Sequence, residues 1–225
     1  MPSAFDYFNL GDHVGDCSKS VAANRQHLLE YLPKTTNIQW LEQVHGNNVV
    51  IVTDHNDKPI IADAAITRSR DIALAVMTAD CLPILLSNQD GSEIAAIHGG
   101  WRPLAADIIA NTITKMHSKP SDIVAWLGPC IGVAVFEVGL EVKLAFCEIS
   151  PQFQQAFTAV MPESECNESG KFFADLPLIA KLQLNAAGVT EIANIDECTY
   201  ANTQKYYSYR RDGKTGRMAS IISIR

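Results

Sequence analysis

Short apolar runs, many of them β-branched and separated by turn-forming residues, dominate the pattern of the first half of the chain. Runs of this length between turn signals are typical of β-strands. We therefore predict strands over residues 38–44, 49–53, 62–67, 72–77, 84–87 and 94–98. A further apolar run over Ile123–Leu127 predicts another buried strand, followed by a loop of small residues at 128–132.

Apolar residues at helical spacing predict helices before and after this strand-rich stretch. An Asp/Ser start, apolar residues on one face and Pro33 indicate a first helix over residues 16–32. Asp175 is the predicted N-cap of a later helix, and Gly188 its predicted left-handed C-terminal residue. Further helices are predicted over residues 103–117, 140–148 and 151–160, and a closing hairpin over 206–210 and 218–224.

The predicted strands outnumber the helices, and several consecutive strands follow one another without a helical crossover. This order favours a mixed α/β sheet assembly of the α+β kind over a doubly wound sheet. No internal repeat, low-complexity tract or linker divides the sequence. We therefore expect a single domain over residues 1–225.

Composition narrows the classes of protein and of partner. The chain has 225 residues, of which 47% are hydrophobic and 19% charged, so it can bury a sizeable core. A formal net charge of −7 and the lack of any Lys/Arg run argue against a nucleic-acid surface. An anionic substrate would therefore have to be bound by local cations.

The sequence lacks the signals of membrane insertion, of secretion and of paired cysteines, which bears on the compartment of the protein and on the redox state of its cysteines. No apolar stretch approaches the roughly 18 residues of a membrane span, and the first residues lack the regions of a signal peptide. We therefore expect a cytoplasmic protein with no membrane partner. The six cysteines are scattered without a Cys-x-x-Cys pair, which argues against a disulfide framework. Apart from Cys81, most are expected to be small buried hydrophobic residues.

One cysteine between two histidines carries the candidate chemistry. His45, Cys81 and His98 each stand beside an apolar run and a turn-forming residue, where rigid scaffolds often present functional side chains. If the three converge, they form the ligand set of a zinc ion with an open fourth position, and Asp80 could orient a ligand histidine. They could equally form a thiol catalyst with Cys81 as nucleophile. The simplest alternative is a buried cysteine, two hydrogen-bonded histidines and Asp80 as a turn cap.

Two segments offer cations for an anionic substrate. Residues 99–103 lead from a strand into a helix N-terminus, where Gly100 permits close backbone approach and Arg102 can pair with phosphate or carboxylate. Arg210 and Arg211 fall on a predicted strand and face opposite sides, so that one could face a cleft. Alternatively, the glycines only make the turn, Arg102 pairs with a surface acid, and both later arginines belong to a solvated edge strand.

Taken in order, several motifs resemble those of the YfiH-like family, often labelled laccase-domain or multicopper polyphenol oxidase-like proteins. The central ones are Trp40-Leu41-Glu42-Gln43-Val44-His45-Gly46, Thr78-Ala79-Asp80-Cys81-Leu82-Pro83, His98-Gly99-Gly100-Trp101-Arg102 and Tyr207-Ser208-Tyr209-Arg210-Arg211-Asp212. Others lie at residues 8–11, 13–16, 62–64, 125–129, 136–139, 198–200 and 215–220. The resemblance covers almost the whole chain.

This resemblance implies a layered α/β/β/α fold, related to the cysteine-dependent toxin deamidases of the cytotoxic necrotizing factor type. It also implies a catalytic zinc centre at His45, Cys81 and His98, and phosphorolysis of adenosine or inosine to the free base and ribose 1-phosphate. Methylthioadenosine phosphorolysis and adenosine deamination are associated with the same centre. A bacterial branch of the family is linked to peptidoglycan precursor editing, in which a wrongly added L-serine is removed from a UDP-linked sugar precursor.

The chain departs from the family pattern in two places. Family members usually have an N-terminal strand and a Thr-Arg-x-Gly-Gly-like segment before the Asn-Leu-Gly motif, which here follows a few residues after the start. We expect either that a substrate contact or edge strand supplied there is missing, or that the start of the chain differs from the usual one. Gly99 and Pro103 replace the commoner Ala and Gly, so we expect an altered turn that keeps the Arg102 anion site.

The resemblance makes zinc-dependent purine nucleoside phosphorylase the first predicted function. Its expected partners are a small-molecule nucleoside and phosphate, and its expected assembly is a monomer or homodimer. A Cys81-dependent amide hydrolase and a non-enzymatic metal-binding module are the alternatives. A four-copper oxidase would need about eight imidazoles, whereas the sequence has six histidines. Weak oxidation with Cu²⁺ in place of Zn²⁺ stays open, because copper outcompetes zinc for such ligands.

Overall fold

The computed structural model describes residues 4–5, 8–34, 36–160 and 170–225. The α-helices there are α1 (Ser18–Leu28), α2 (Trp101–Ala105), α3 (Ile108–Lys115), α4 (Leu140–Cys147), α5 (Leu176–Ala186) and α6 (Tyr209–Asp212). The strands are β1 (Asn37–Gln39), β2 (Leu41–Glu42), β3 (Val49–Val52), β4 (Ile60–Ile61), β5 (Ala64–Thr67), β6 (Ile72–Thr78), β7 (Leu82–Asn88), β8 (Ile94–Gly99), β9 (Ile123–Leu127), β10 (Glu137–Gly139), β11 (Phe157–Ala159), β12 (Lys171–Ala174), β13 (Glu191–Asn194) and β14 (Met218–Ser223). Short 3₁₀ helices lie at Leu29–Tyr31, Pro120–Asp122, Val133–Val135 and Pro151–Ala156.

Two sheets form the centre of the fold. The larger has six strands in the order β13-β9-β7-β8-β5-β3, and the smaller has three in the order β1-β6-β14. Strand β7 pairs antiparallel with both β8 and β9, whereas β3 pairs parallel with β5. Strands β10-β12-β11 and the pair β2-β4 form two further small sheets.

Alternation along the strands explains how these sheets stack, because neighbouring residues of a strand face opposite sides. In β6, Ala75 belongs to the cluster against which Leu28 of α1 packs, while Leu74 belongs to the cluster between the two sheets. In β8, Ala96 belongs to that same cluster, while Ile97 joins the large core that includes α3 and α5. The layers are therefore helix, three-stranded sheet, six-stranded sheet and helices, which confirms the predicted mixed α+β class with an α/β/β/α order.

Most predicted elements are confirmed within a few residues. At the start of α5, the Asp175 carboxylate accepts a hydrogen bond from Leu178 N at 2.9 Å, and Gly188 has the predicted left-handed backbone with φ 91°. The predicted strand over residues 38–44 is interrupted at Trp40. Its halves β1 and β2 pair with different strands, β6 and β4.

Two predicted helices are wrong in part. The helix expected over residues 103–117 begins at Trp101 and is split into α2 and α3, because Asp107 has a left-handed backbone with φ 58°. The helix expected over residues 151–160 is a 3₁₀ helix followed by β11, which pairs antiparallel with β12. Here pairing with a distant strand supplies the main-chain hydrogen bonds that a continued helix would have made.

The predicted C-terminal hairpin is also wrong, so Arg210 and Arg211 do not lie on a strand. They belong to the single helical turn α6, and β14 pairs antiparallel with β6. Main-chain N–H groups at the start of a helix need acceptors outside it. The Ser208 hydroxyl accepts from Arg211 N at 3.2 Å and the Asp80 carboxylate from Arg210 N at 2.6 Å, which stabilises the turn.

The cysteines differ more in environment than predicted. Among the described residues, Cys130 is buried, Cys147 and Cys198 are half-buried, and Cys17 is exposed; all are free thiols. The expectation of a buried hydrophobic residue is thus met at Cys130, while Cys166 lies outside the described residues. In the same part of the chain, no helix combines the length and apolar character that crossing a membrane requires.

Candidate metal centre

Three side chains that are far apart in sequence meet where the two central sheets adjoin. His45 follows β2, Cys81 lies in the turn between β6 and β7, and His98 lies near the end of β8. Their candidate ligand atoms all lie within 4.8 Å of one another. The ring centroids of His45 and His98 are 4.7 Å apart at an interplanar angle of 77°. Because His45 is exposed and His98 is buried, the group has one side open to solvent.

The buried carboxylate of Asp63 holds both histidines in place. It contacts His98 Nδ1 at 2.8 Å and accepts hydrogen bonds from the main-chain N–H of His45 at 3.0 Å and of Gly46 at 2.7 Å. His45 itself has a left-handed backbone with φ 58°, a conformation that costs a non-glycine residue about 1–2 kcal/mol. The Asp63 hydrogen bonds offset this cost and fix the loop that carries His45.

The hydrogen bond to Asp63 also decides which nitrogen of His98 faces the cluster. Burial by itself raises the pKa of Asp63, but hydrogen bonds from His98 and the Gly46 N–H hold it below its usual value. An ionised carboxylate can only accept hydrogen bonds, so His98 Nδ1 carries a proton. The Nε2 lone pair of a neutral His98 is then free to bind a metal ion.

In the metal-free protein, Cys81 and His98 perturb each other strongly. Burial by itself raises the pKa of the Cys81 thiol, but the His98 charge and hydrogen bonds from His45 and His98 lower it to about 6. Burial lowers the pKa of His98, but the Cys81 thiolate and Asp63 raise it to about 9. The free site therefore favours a thiolate beside an imidazolium, which is also a reactive form of cysteine.

The turn that carries Cys81 is fixed by Asp80, whose backbone is left-handed with φ 99°. The Asp80 carboxylate accepts a hydrogen bond from the Thr199 hydroxyl at 2.7 Å, besides the one from Arg210 N, and its main-chain oxygen accepts from Ile131 N at 2.9 Å. In the structure Asp63 therefore orients the histidine, and Asp80 has the role of a turn anchor, the alternative stated for it above.

A cavity of about 880 Å³ opens beside the three side chains. Its wall contains His45, Cys81 and His98, and its other lining residues are Asp12, His13, Leu41, Glu42, Gln43, Val44, Pro59, Met77, Thr78, Ala79, Tyr209 and Arg217. This volume lies within the ~300–1,000 Å³ range of small-molecule sites. The cluster is thus placed where a small substrate could reach it.

None of the three predicted anion-binding residues belongs to this lining. Arg102 is exposed, with its guanidinium 4.3 Å from the Trp101 ring, and Arg210 donates a hydrogen bond to Val135 O at 3.3 Å. Gly100 packs on the cluster itself, because a Cβ there would lie 3.3 Å from both Cys81 Sγ and His45 Cδ2. Residue patterns missed Asp63 and Arg217, although both fall within motifs at 62–64 and 215–220 that were noted above.

The donor set fits zinc. A thiolate and two imidazoles suit a borderline-soft divalent ion with three protein ligands, whereas calcium and magnesium prefer oxygen ligands. The ligand atoms are close enough for one ion to bridge them, and the His98 hydrogen bond to Asp63 is the arrangement that orients a ligand imidazole.

Fold and site together define a known class of protein. Residues 1–225 match the family described as multi-copper polyphenol oxidoreductase laccase, and the chain belongs to this family. The resemblance to YfiH-like proteins is confirmed by its relatives. The chain is 40% identical over 218 residues to purine nucleoside phosphorylase YfiH of Escherichia coli (strain K12), covering 97% of this chain and 86% of that protein. It is 39% identical over 215 residues to a Haemophilus influenzae protein named purine nucleoside phosphorylase, covering 96% and 86%.

Solved structures share the fold. A crystal structure of a Neisseria meningitidis protein matches with a TM-score of 0.92 at 39% identity, covering 99% of this chain and 88% of that one. YfiH of Bacillus licheniformis matches with a TM-score of 0.90 at 27% identity, covering 98% and 87%.

Proposed function

We propose that this protein is a zinc-dependent purine nucleoside phosphorylase. The observation that supports this proposal most is the cluster of His45, Cys81 and His98 in the wall of a cavity of about 880 Å³. The chain's relatives named purine nucleoside phosphorylase support the substrate class. Adenosine, inosine and methylthioadenosine are the proposed substrates, and deamination of adenosine is a proposed second activity of the same centre.

In this reaction a phosphate oxygen bonds to C1′ of the ribose, and the bond from C1′ to the purine nitrogen breaks. The proton of hydrogen phosphate ends on the released base, so the products are the free purine and ribose 1-phosphate. Zinc, when bound, would act as a Lewis acid that polarises a substrate oxygen.

The chain's own residues supply the binding surface. Leu41, Val44 and Met77 give the cavity an apolar wall for the purine, and the exposed ring of Tyr209 offers a flat face for stacking. His45 and His98 are fixed by Asp63 before substrate arrives, so little reorganisation is needed when it binds.

The direct test offers purified protein inosine with and without phosphate, and with and without a zinc chelator. We expect hypoxanthine to appear only when both phosphate and metal are present, and ribose 1-phosphate to form in equal amount. Release of hypoxanthine that needs no phosphate, with free ribose as the other product, would contradict phosphorolysis. Ammonia released from adenosine tests the deaminase activity separately.

A second candidate function is a Cys81-dependent amide hydrolase acting on a seryl-amide sugar nucleotide. It is favoured by one arrangement: Cys81 lies beside His98, and Asp63 orients the far nitrogen of that ring, as in a nucleophile–base–carboxylate triad. Removal of L-serine from a UDP-linked muramyl precursor that survives chelation, but is lost in Cys81→Ala, would favour this function over the first.

A further inference from the structure

Arg217 stands out among the described residues that line the cavity, because none of the others is a lysine or an arginine. We propose that Arg217 binds the phosphate co-substrate, the part that Arg102 and Arg210 were expected to play. This inference rests on the proposed phosphorolysis and assigns one of its two substrates to a side chain.

The charge of the cavity favours such a residue. The protein carries a formal net charge of −7, and the cavity wall also contains the carboxylates of Asp12 and Glu42. Asp12 has its own cation, since Arg25 lies 3.4 Å from it. Besides the proposed zinc ion, a doubly charged phosphate is therefore best bound by a local cation that no carboxylate already engages.

The guanidinium of Arg217 is not engaged in that way. Within the described part of the chain it forms no ion pair, whereas Arg25, Arg68 and Arg211 each have an acidic partner. Its Nη1 donates to the main-chain oxygens of Thr215 at 3.0 Å and Gly216 at 2.9 Å. These two bonds fix one end of the fork and leave the Nε–Nη2 edge, which matches the spacing of two phosphate oxygens.

The backbone around Arg217 is held by the loop at residues 9–11. The fully buried Asn9 side chain accepts hydrogen bonds from Arg217 N at 2.8 Å and Gly11 N at 2.9 Å, and Leu10 N donates to Arg217 O at 3.1 Å. A Cβ on Gly11 would lie 2.8 Å from Arg217 Cγ, so the loop leaves room for the stem of this side chain. A half-buried arginine on a built support is a preorganised binding group.

Tyr209 lies next to the guanidinium, with the Arg217 Cζ 5.9 Å from the centre of its ring. Both side chains line the cavity with His98 and Cys81. Phosphate bound at the Nε–Nη2 edge would enter from the side of Arg217, while the nucleoside occupies the apolar wall near the metal centre. Arg217 would then hold hydrogen phosphate for attack at C1′, and the purine leaves with the proton that phosphate gives up.

The test compares Arg217→Gln and Arg217→Lys with the native protein. We expect the KM for phosphate to rise by about 10- to 100-fold in Arg217→Gln, and less in Arg217→Lys, which keeps the charge but loses the fork. The KM for inosine should change by less than about threefold, because the nucleoside does not contact this side chain in the proposed arrangement. A purely structural role would instead change both KM values or kcat alone.

A charge-matched control is Arg70→Gln, because Arg70 is exposed and donates to the C-terminal residue Arg225 instead of lining the cavity. It should leave both KM values unchanged. Arg102→Gln and Arg210→Gln examine the assignments made from sequence. If either of them, and not Arg217→Gln, raises the KM for phosphate, the proposal is overturned.

Binding is measured separately from turnover, by calorimetric titration of zinc-loaded protein with inorganic phosphate and with acetate. We expect native protein to bind phosphate and Arg217→Gln to lose it, with acetate bound weakly by both. Unchanged phosphate affinity in a folded Arg217→Gln protein would overturn the assignment. If native protein binds phosphate through Arg217 but does not cleave inosine, the proposed function fails while this binding site stands.

Discussion

Asp63 sets the positions of two members of the candidate metal centre, His45 and His98. Its side chain is fully buried, and its two oxygens together contact the ring of His98 and the main chain of Val44, His45 and Gly46. One carboxylate thus sets the orientation of one ligand and the loop position of another. Loss of its charge should therefore affect metal binding before it affects the distant parts of the fold.

We expect Asp63→Asn to weaken zinc affinity by about 10- to 100-fold, as loss of a group that orients a ligand imidazole commonly does. The amide nitrogen would also face an N–H donor, which should lower the free energy of unfolding by about 1–3 kcal/mol. Competition titration against a chromogenic chelator measures the first effect, and urea unfolding the second. The exposed Asp57→Asn is the matched control; equal zinc affinity in both variants would contradict this role.

Residue types and their neighbours marked His45, Cys81 and His98 as candidates, and the family resemblance predicted that the three converge, which the structure shows. Asp63 could not be selected in this way. Its partners lie 18 and 35 positions away at His45 and His98, so its function exists only after β5 and β8 have paired. Arg217 depends in the same way on Asn9, which is 208 positions away.

At the scale of elements, Glu93 joins the paired strands β5 and β8 to the segment that follows α3. This buried residue precedes β8, and its carboxylate accepts hydrogen bonds from His117 N and Ser118 N just beyond α3. It also forms an ion pair with Arg68, which follows β5. Burial by itself raises the pKa of Glu93, but the hydrogen bonds from His117 and Ser118 and the Arg68 charge hold it below its usual value.

We expect Glu93→Gln to lower the free energy of unfolding by about 1–3 kcal/mol at neutral pH, because it removes a charged acceptor of several hydrogen bonds. A carboxyl whose pKa is lower in the folded state stabilises the protein at pH values above its pKa in the unfolded chain, about 4.3. This stabilisation is lost as the pH falls through the pKa of the folded state. The difference in the free energy of unfolding between native protein and variant should therefore be constant above about pH 5 and shrink below about pH 4. Urea unfolding across this range measures it; a gap that widens on acidification would refute the argument.

Elements with a clear local period were the ones the sequence could predict. Strands β5, β6, β8 and β9 have strong apolar runs, and both ends of α5 have the residues their caps require. The strand predicted at residues 206–210 was wrong because the conformation of residues 206–212 depends on Asp80, a residue 130 positions from Arg210. The helix predicted over residues 151–160 was wrong at its end because the pairing of β11 with β12 outweighs the helical spacing of this short apolar segment.

For the whole molecule, the position of the metal centre couples ion binding to the packing of layers. Cys81 lies where the chain leaves the three-stranded sheet and enters the six-stranded sheet, and His98 belongs to the latter. An ion held by both would bind the native state and not the unfolded chain. Such binding stabilises the fold by about 4 kcal/mol when the concentration of the free ion is 1,000 times its dissociation constant.

We therefore expect zinc to raise the Tm of chelator-treated protein by roughly 8–16 °C under those conditions, at about 2–4 °C for each kcal/mol in a domain of this size. His45→Ala should lose most of this shift, because it removes one ligand that is exposed and contributes little to the core. His27→Ala, which removes another exposed histidine paired only with nearby groups, should retain it. Scanning calorimetry with and without zinc gives the comparison; an equal shift in both variants would place the ion elsewhere.

The turn at Asp80 and Cys81 is one of the points where the main chain passes from one central sheet to the other. A movement that slides these sheets apart would strain the turn that carries the sulfur, which is held beside His98 by the pairing of β7 with β8, so turnover should report on the docking of the two layers. Heating should consequently abolish activity in step with the separation of the sheets, and an inactive protein whose layers remain packed should not accumulate on the way to the unfolded chain.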